Sequence, residues 1–397
     1  MKVLFLHKSL IMGGVERILV NYLNLLKDES HLEIHLLLDN KPQDDIFSSH
    51  IPHNIKTTYF FDNAYLTYRN KLYIERKLSI QKRLKYKWLN FKEKRYRRKQ
   101  LLSIISKNNY DIVINFSEHF HRFLDFNKID CPIVRWQHGA LSIDDKIKFQ
   151  TQIHSLNKYD YIVAICQEMA EQILENNEIS KEKVKLIYNP INYKNLYALA
   201  ENHSITDSHL IEQASNNEPF LLQVSRLDPR KRHEWLIQAY AKLVKKGIKE
   251  KLYIIGGGEI YKELYDLIKS LNLEEYCFLL GQLNNPYPYM KNAKLFLHTS
   301  ETEGFCTVLV ESLAFNVPVV AMNCPTGTKE ILNNGKCGAL TPLGDIDKFV
   351  EEIYHLLTSE NRLNDCRQEI IKHISSFGED KIKYDFLTLL DSIHNQS

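Results

Sequence analysis

The chain is predicted to fold as α/β, with two doubly wound domains in tandem, and three observations carry that prediction. Short β-rich apolar runs alternate with helical patterns throughout, as parallel sheets with crossover helices require. A length of 397 residues exceeds what one compact core normally holds. The alternation loosens once, over the polar stretch 202–218, and then restarts.

Taken in order, Lys2–His7 reads as a strand, Gly13-Gly14 as a turn and Val15–Leu26 as an amphipathic helix. Glu33–Leu38 is a second strand. A basic block follows, and then the strands Asp111–Phe116, Ile133–Gln137 and Tyr161–Ile165. The second series comprises Phe220–Val224, Lys251–Ile255, Cys277–Leu280, Lys294–Leu297 and Val317–Ala321, each followed by Gly, Pro or polar residues and a helical stretch. Asp380–Ile393 is helical, with Ile382, Phe386, Leu389 and Leu390 apolar. The expected domains are 1–200, with a basic insertion at about 66–100, and 201–378, followed by a last helix over 379–397. Tandem sheets of this kind bring their strand C-termini to one cleft, where ligands bind.

Composition excludes several classes. No apolar run approaches the roughly 20 residues that span a bilayer, and the apolar start Val3–Leu6 is too short for a signal peptide. Seven cysteines lie scattered without a Cys-x-x-Cys pair, which suits reduced thiols in a cytoplasmic protein. The net charge of +3 hides an asymmetry: Arg69 to Lys99 holds fourteen Lys or Arg against Glu75 and Glu93. Tyr73, Tyr86, Trp88, Phe91 and Tyr96 interleave with those cations. Rings at headgroup level and cations on phosphates suit an anionic membrane surface. A solvated basic helix is the plain alternative. No nucleic-acid-binding module surrounds the block, so nucleic acid is not an expected partner.

The chemistry concentrates at the ends of predicted strands. Glu303-Gly304-Phe305-Cys306-Thr307 runs from a strand toward a helix, and Glu311 falls about one helical turn in. Backbone N–H groups at such a helix start can hold a phosphate while the acids take sugar or ribose hydroxyls; an ordinary βα turn with a solvated Glu is the rival reading. Arg226 and Lys231 follow the strand Phe220–Val224, with Pro229 stiffening the turn, and two cations there can reach one anion from two sides. Gly13 and Gly14 let a ligand approach the first helix. His138 ends a strand where it can donate to a sugar hydroxyl or act in proton transfer. Glu118 and His119 are weaker candidates for acceptor contact. Gly256-Gly257-Gly258 lacks the dinucleotide spacing and reads as a tight structural turn. Asp345-Ile346-Asp347 reads as a helix cap, not a metal site. Cys324–Glu330 is a candidate binding loop.

Arg226 with Lys231, the pair Glu303 and Glu311, the Gly13-Gly14 turn and the late Asn334-Gly335, Gly338 and Gly344-Asp345 segment resemble the family 4 retaining glycosyltransferases. The similarity is strongest from Phe220 to Asp345, and the Cys324–Glu330 loop is similar to that of bacterial members that build surface glycans. The resemblance implies the GT-B architecture: two Rossmann-like domains facing across a cleft, with a C-terminal helix crossing back to the first. It implies a nucleotide-diphosphate sugar on the second domain. Arg226 and Lys231 match the diphosphate pair, Glu311 the ribose-binding acid, and Glu303 the acid facing the donor sugar. Gly304, Phe305, Cys306 and Thr307 match the backbone near sugar and phosphate, and Gly13, Gly14 and His138 match first-domain elements that close on the donor. Cys306, Ser225 and Arg232 depart from the pattern, where Gly is common.

The expected function is transfer of a hexose or N-acetylhexosamine, from a UDP-sugar by resemblance, to a glycan or lipid-linked glycan in bacterial surface polysaccharide synthesis. Charge on the departing diphosphate is stabilised by protein cations, so neither metal nor cofactor is expected. The expected location is cytoplasmic, peripheral on the inner membrane face. A GT-B sugar-nucleotide epimerase is the rival enzyme, distinguished by donor turnover without acceptor. A non-catalytic subunit of a glycan assembly complex is the other rival, and the retained Arg226, Lys231, Glu303 and Glu311 argue against it.

Overall fold

The computed structural model describes residues 1–11, 13–41, 47–201 and 218–395; of the expected connection over 202–218, residues 202–217 lie outside the described residues. The chain divides into two compact units. Unit 1 takes Met1–Ile165, Ala170–Pro190 and the residues from Ile382 onward; unit 2 takes Cys166–Met169 and Ile191–Lys381. The division falls at Pro190, ahead of the expected boundary at 200.

Unit 1 is built on a seven-stranded parallel sheet. Its strands are β1 (Lys2–His7), β2 (Glu33–Asn40), β3 (Lys56–Phe61), β4 (Ile112–Asn115), β5 (Ile133–Gln137), β6 (Tyr161–Ala164) and β7 (Val184–Leu186), in the order β3-β2-β1-β4-β5-β6-β7. Strands covered by helices on both faces need apolar residues at successive positions, and Val3 to Leu6 and Ile112 to Ile114 are fully buried runs of that kind. The order reverses between β1 and β4, so the loops after these strands diverge from one point.

The helix Glu379–His394 contributes its residues from Ile382 to unit 1. Ile382, Phe386, Leu389, Leu390 and Ile393 recur at helical spacing and are buried. The Phe386 ring lies 5.4 Å from Tyr22, 5.4 Å from Trp136 and 6.3 Å from Phe5.

The basic insertion is a pair of helices, Asn63–Glu75 and Ile80–Asn108. It is not uniformly solvated: Glu93 and Arg97 are buried. Arg97 Nε donates to Asp39 Oδ1 at 2.6 Å and Nη1 to Glu93 Oε2 at 2.9 Å. Asp39 Oδ2 lies 2.7 Å from His119 Nε2. Glu93 also accepts from the Tyr65 hydroxyl at 2.8 Å and pairs with Arg69 at 3.1 Å. Arg69 and Arg97 are therefore cations of a structural network, and His119 is engaged with Asp39 instead of standing ready for an acceptor. Burial opposes ionisation of Asp39, but His119 and Arg97 outweigh it and hold the carboxyl low. No helix among the described residues is long and apolar enough to cross a membrane.

Unit 2 carries a six-stranded parallel sheet of β8 (Phe220–Val224), β9 (Lys251–Ile255), β10 (Cys277–Gly281), β11 (Leu295–His298), β12 (Val319–Met322) and β13 (Gly338–Thr341). The order is β10-β9-β8-β11-β12-β13, so the reversal lies between β8 and β11. The helices His233–Lys245 and Ile346–Thr358 bury Leu236, Tyr240, Phe349 and Ile353 in a core shared with Leu221 and Leu297.

Replacing Arg97 by Gln leaves Asp39 and Glu93 buried without their shared cation. Loss of one partner from such a pair costs about 3–5 kcal/mol. Urea denaturation of the full chain, followed by a unit 1 reporter such as Trp136, should show a loss of that order; a change under about 1 kcal/mol would mean the network is slack.

Candidate active site

The reversal of strand order in unit 2 sets the two loops after β8 and β11 side by side, the place where open parallel sheets bind ligands. Three hydrogen bonds join them. Glu301 N–H donates to the Arg230 carbonyl at 2.8 Å, Thr299 Oγ1 to the Lys231 carbonyl at 3.0 Å, and Ser300 Oγ to the Arg230 carbonyl at 3.4 Å. Lys231 Nζ then reaches Glu303 Oε1 at 2.5 Å. His298, the buried last residue of β11, places Nε2 3.4 Å from the same oxygen.

Lys231 and His298 thus converge on one carboxylate before any ligand is considered. Burial opposes ionisation of Glu303, but His298 and Lys231 override it and draw the pKa down to about 2. Cys306, at a position where Gly is common, is buried with Sγ 3.5 Å from His298 Nε2. Its thiol is pushed well above the usual range by burial and by the Glu303 charge, so it stays protonated. His298, Glu303 and Cys306 offer donor atoms within 4.8 Å of one another, the makings of a metal site. A protonated thiol and the Lys231 ammonium on Glu303 fit a cation poorly, because a metal needs deprotonated ligands and meets like charge here.

Arg226 stands on the same loop, exposed, with no side-chain hydrogen bond or ion pair among the described residues. The loop itself is held closely. A Cβ on Gly256 would stand 1.8 Å from the Ser225 carbonyl oxygen, and one on Gly258 2.1 Å from that of Leu227. The glycine turn after β9 is therefore a support for the Arg226 loop, as its spacing suggests. Ser225 Oγ lies 2.9 Å from His233 Nε2. Arg232 adopts φ 51, ψ 42, the left-handed region where glycine is favoured, and so caps the helix His233–Lys245 under strain. Ion pairs to Glu301 at 2.9 Å and Glu234 at 3.3 Å hold it there.

After β11 the chain turns through Gly304, with Phe305 and Cys306 buried, into the helix Thr307–Ala314. The N–H groups of Thr307 and Leu309 are already taken by the carbonyls of Phe305 and Cys306, which narrows the expected anion cradle. Glu311 lies just over one turn in, and accepts from the Tyr287 hydroxyl at 3.4 Å. Thr326 Oγ1 donates to the Glu303 carbonyl, so the 324–330 loop packs onto the acid's backbone. Asp345 caps its helix by accepting from Lys348 N–H at 2.9 Å, and Asp347 pairs with Lys242 at 2.5 Å.

Unit 1 places its candidates around its own reversal point. His138 follows β5, its ring 4.6 Å from that of Phe116. Burial, then Arg135 and His7, lower its pKa to about 3, so the imidazole is neutral and offers hydrogen bonds instead of charge. Gly14 opens onto free space, whereas a Cβ on Gly13 would meet the Glu16 carboxylate at 2.1 Å. That carboxylate, 3.6 Å from His7 Nε2, is the end of a flexible side chain folded over the turn.

A family profile described as "Glycosyltransferase Family 4" matches residues 12–195, and one described as "Glycosyl transferases group 1" matches 204–373. The chain belongs to the family 4 glycosyltransferases. It is 33% identical over 233 residues to a Campylobacter jejuni N-acetylgalactosaminyltransferase named for a diphospho-undecaprenol acceptor, covering 59% of this chain and 60% of that one. It is 25% identical to the lipopolysaccharide 1,6-galactosyltransferase of Salmonella typhimurium, covering 57% of this chain and 59% of that one. The matches thus span about three fifths of the length of these two relatives. The fold is GT-B: Anabaena HepE, solved in complex with UDP and glucose, superposes with a TM-score of 0.74 at 20% identity over 99% of this chain and 100% of that chain.

Glu303 supplies a test in pH. Its folded pKa of about 2 lies below the ordinary 4.5, so its contribution to stability is complete above pH 4.5 and is lost as pH falls toward 2. Urea midpoints of wild type and Glu303→Gln should differ at neutral pH and converge through that window. A gap that stays constant from pH 6 to pH 3 would show that Glu303 is not held ionised.

Proposed function

We propose that the protein is a retaining glycosyltransferase that moves a hexose or N-acetylhexosamine from a UDP-sugar to a glycan or lipid-linked glycan of a bacterial surface polysaccharide, such as lipopolysaccharide or capsule. The observation that carries the reading is the convergence of Lys231 and His298 on Glu303, beside an exposed Arg226 and the start of the Thr307 helix. Arg226 and Lys231 bind the diphosphate, Glu311 the ribose hydroxyls, and Glu303 a hydroxyl of the donor sugar. The backbone from Gly304 to Thr307 lies against sugar and phosphate.

Lys231 has three N–H donors, so it can keep Glu303 and still reach a phosphate oxygen. Pinning the acid and binding the leaving group with one ammonium fixes the sugar relative to the bond that breaks. As that bond lengthens, charge grows on the diphosphate, and Arg226, Lys231 and the helix start stabilise it. The acceptor hydroxyl attacks from the face the diphosphate leaves, and its proton passes to a phosphate oxygen. No metal takes part in this scheme. The named acceptors of the Campylobacter and Salmonella relatives support a lipid-linked or lipopolysaccharide acceptor, and the UDP and glucose of the HepE complex support the donor.

Arg226→Ala and Lys231→Ala should each weaken UDP binding and abolish transfer, since one charge-assisted contact contributes about 2–3 kcal/mol. Glu311→Ala should mainly weaken UDP binding, and Glu303→Ala should spare UDP while lowering transfer. Activity should survive excess chelator. Calorimetric titration with UDP and radiolabel transfer read these outcomes; loss of activity with chelator, restored by magnesium, overturns the metal-free scheme.

The enzyme works at the cytoplasmic membrane face, attached through the helical insertion around Arg69–Lys99. Ile80, Leu84, Trp88 and Phe91 recur along one face of the helix Ile80–Asn108 and are exposed, as are Ile74 at the end of the preceding helix and Leu78 in the turn between them. Arg76, Lys77 and Arg83 border that turn. Apolar side chains flanked by cations fit an anionic bilayer. Leu78, Ile80 and Leu84 all changed to Ser should release the protein from vesicles containing phosphatidylglycerol, with turnover on a short soluble acceptor unchanged. Unaltered vesicle binding would sink the attachment.

A further inference from the structure

Arg135 occupies the middle of β5 and is 5% exposed. No carboxylate lies within ion-pair distance of it among the described residues. Its Nη2 donates to Gln137 Oε1 at 3.3 Å, and its Nη1 has no hydrogen-bond partner among them. The contrast with Arg97, equally buried but bound to Asp39 and Glu93, is chemical: one guanidinium has its counter-charges built in and the other does not. A buried guanidinium keeps its proton, so it cannot escape the cost of desolvation by neutralising.

Arg135 and Gln137 border a cavity with His121, Gln152 and Ser155, and the exposed Glu118 lines it as well. The other groups are engaged. His121 sits between Ser155 Oγ at 2.9 Å and the Tyr159 hydroxyl at 3.0 Å. Gln137 Nε2 donates to the Gly139 carbonyl at 2.7 Å, and Gln152 Oε1 accepts from Ser142 N–H at 2.9 Å. The guanidinium remains as a charged donor with capacity to spare.

We propose that this cavity is an oxyanion site, in which Arg135 binds a carboxylate or phosphate carried by the acceptor. The proposal rests on the glycan-acceptor reading above and adds to it that the acceptor is acidic. Oxyanions suit a planar guanidinium, which can offer two parallel N–H bonds. Glu118 in the lining opposes an anion, so it sets how tightly the site holds one.

Thermal unfolding of the full chain, with UDP saturating so that Arg226 and Lys231 are occupied, reads the site. Glucuronate and glucose 1-phosphate are the probes, and glucose is the control. In wild type, glucuronate or glucose 1-phosphate should raise the midpoint by at least about 2 °C, and glucose should not. The probe with the larger rise tells a carboxylate source from a phosphate source. Arg135→Met should lose that rise, keep the shift caused by UDP, and start at or above the wild-type midpoint. Glu118→Gln should enlarge the rise. A rise that persists in Arg135→Met, no rise with either anion in wild type, or an Arg135→Met protein that is markedly less stable or has lost its UDP response overturns the site. A wild type that ignores UDP but keeps the Arg135-dependent rise counts against the transferase reading and not against this one.

Discussion

A carboxylate largely withdrawn from water cannot stay charged alone, and Glu303 organises unit 2 around that constraint. To remain ionised it needs Lys231 from the loop after β8 and His298 from the end of β11. Those partners are available because the two strands are neighbours at the reversal of the sheet. The hydrogen bonds between the loops, the closeness of Gly256 and Gly258 to the Arg226 loop, and the contact of Thr326 with the Glu303 carbonyl all fix the geometry of this one cluster. A site held this way spends little reorganisation when a charged ligand enters, which is the property electrostatic catalysis needs.

The central strands of both sheets were legible because burial on two faces leaves continuous apolar runs. The strands not expected, Lys56–Phe61, Val184–Leu186 and Gly338–Thr341, are all edge strands. β3 runs two threonines into three aromatic residues and is half-buried, while β7 has only three residues. An edge strand has only one neighbour, so its sequence need not carry the apolar run by which a strand is recognised. Of the candidates, Lys231 and Glu303, which the structure brings together, were legible from residue type and spacing. His298 was not, although its position as the polar end of Leu-Phe-Leu-His at a strand C-terminus was a usable signal. The partnership of Lys231 with Glu303 was also beyond the sequence, because it depends on strand order and not on separation along the chain.

Formal charge proved a poor guide to surface charge. Arg97 belongs by composition to the basic block, yet it is bound in the interior by an acid from β2 and one from its own helix. Arg232, too, replaces a common glycine at a left-handed position, and the backbone accepts it because Glu301 and Glu234 hold the side chain. In both places a long cation does structural work through named acids, and counting residues in a window would not reveal it.

The aromatic packing of Phe386 against Phe5, Tyr22 and Trp136 also bears on how the chain is made. Unit 2 draws nearly all of its residues from one continuous stretch that ends at Lys381, whereas unit 1 waits for side chains beyond Ile382 to fill its centre. Domains commonly close in the order in which they leave the ribosome. Here the core of unit 1, begun at β1, is completed only once the helix Glu379–His394 has been made, after the stretch that builds unit 2.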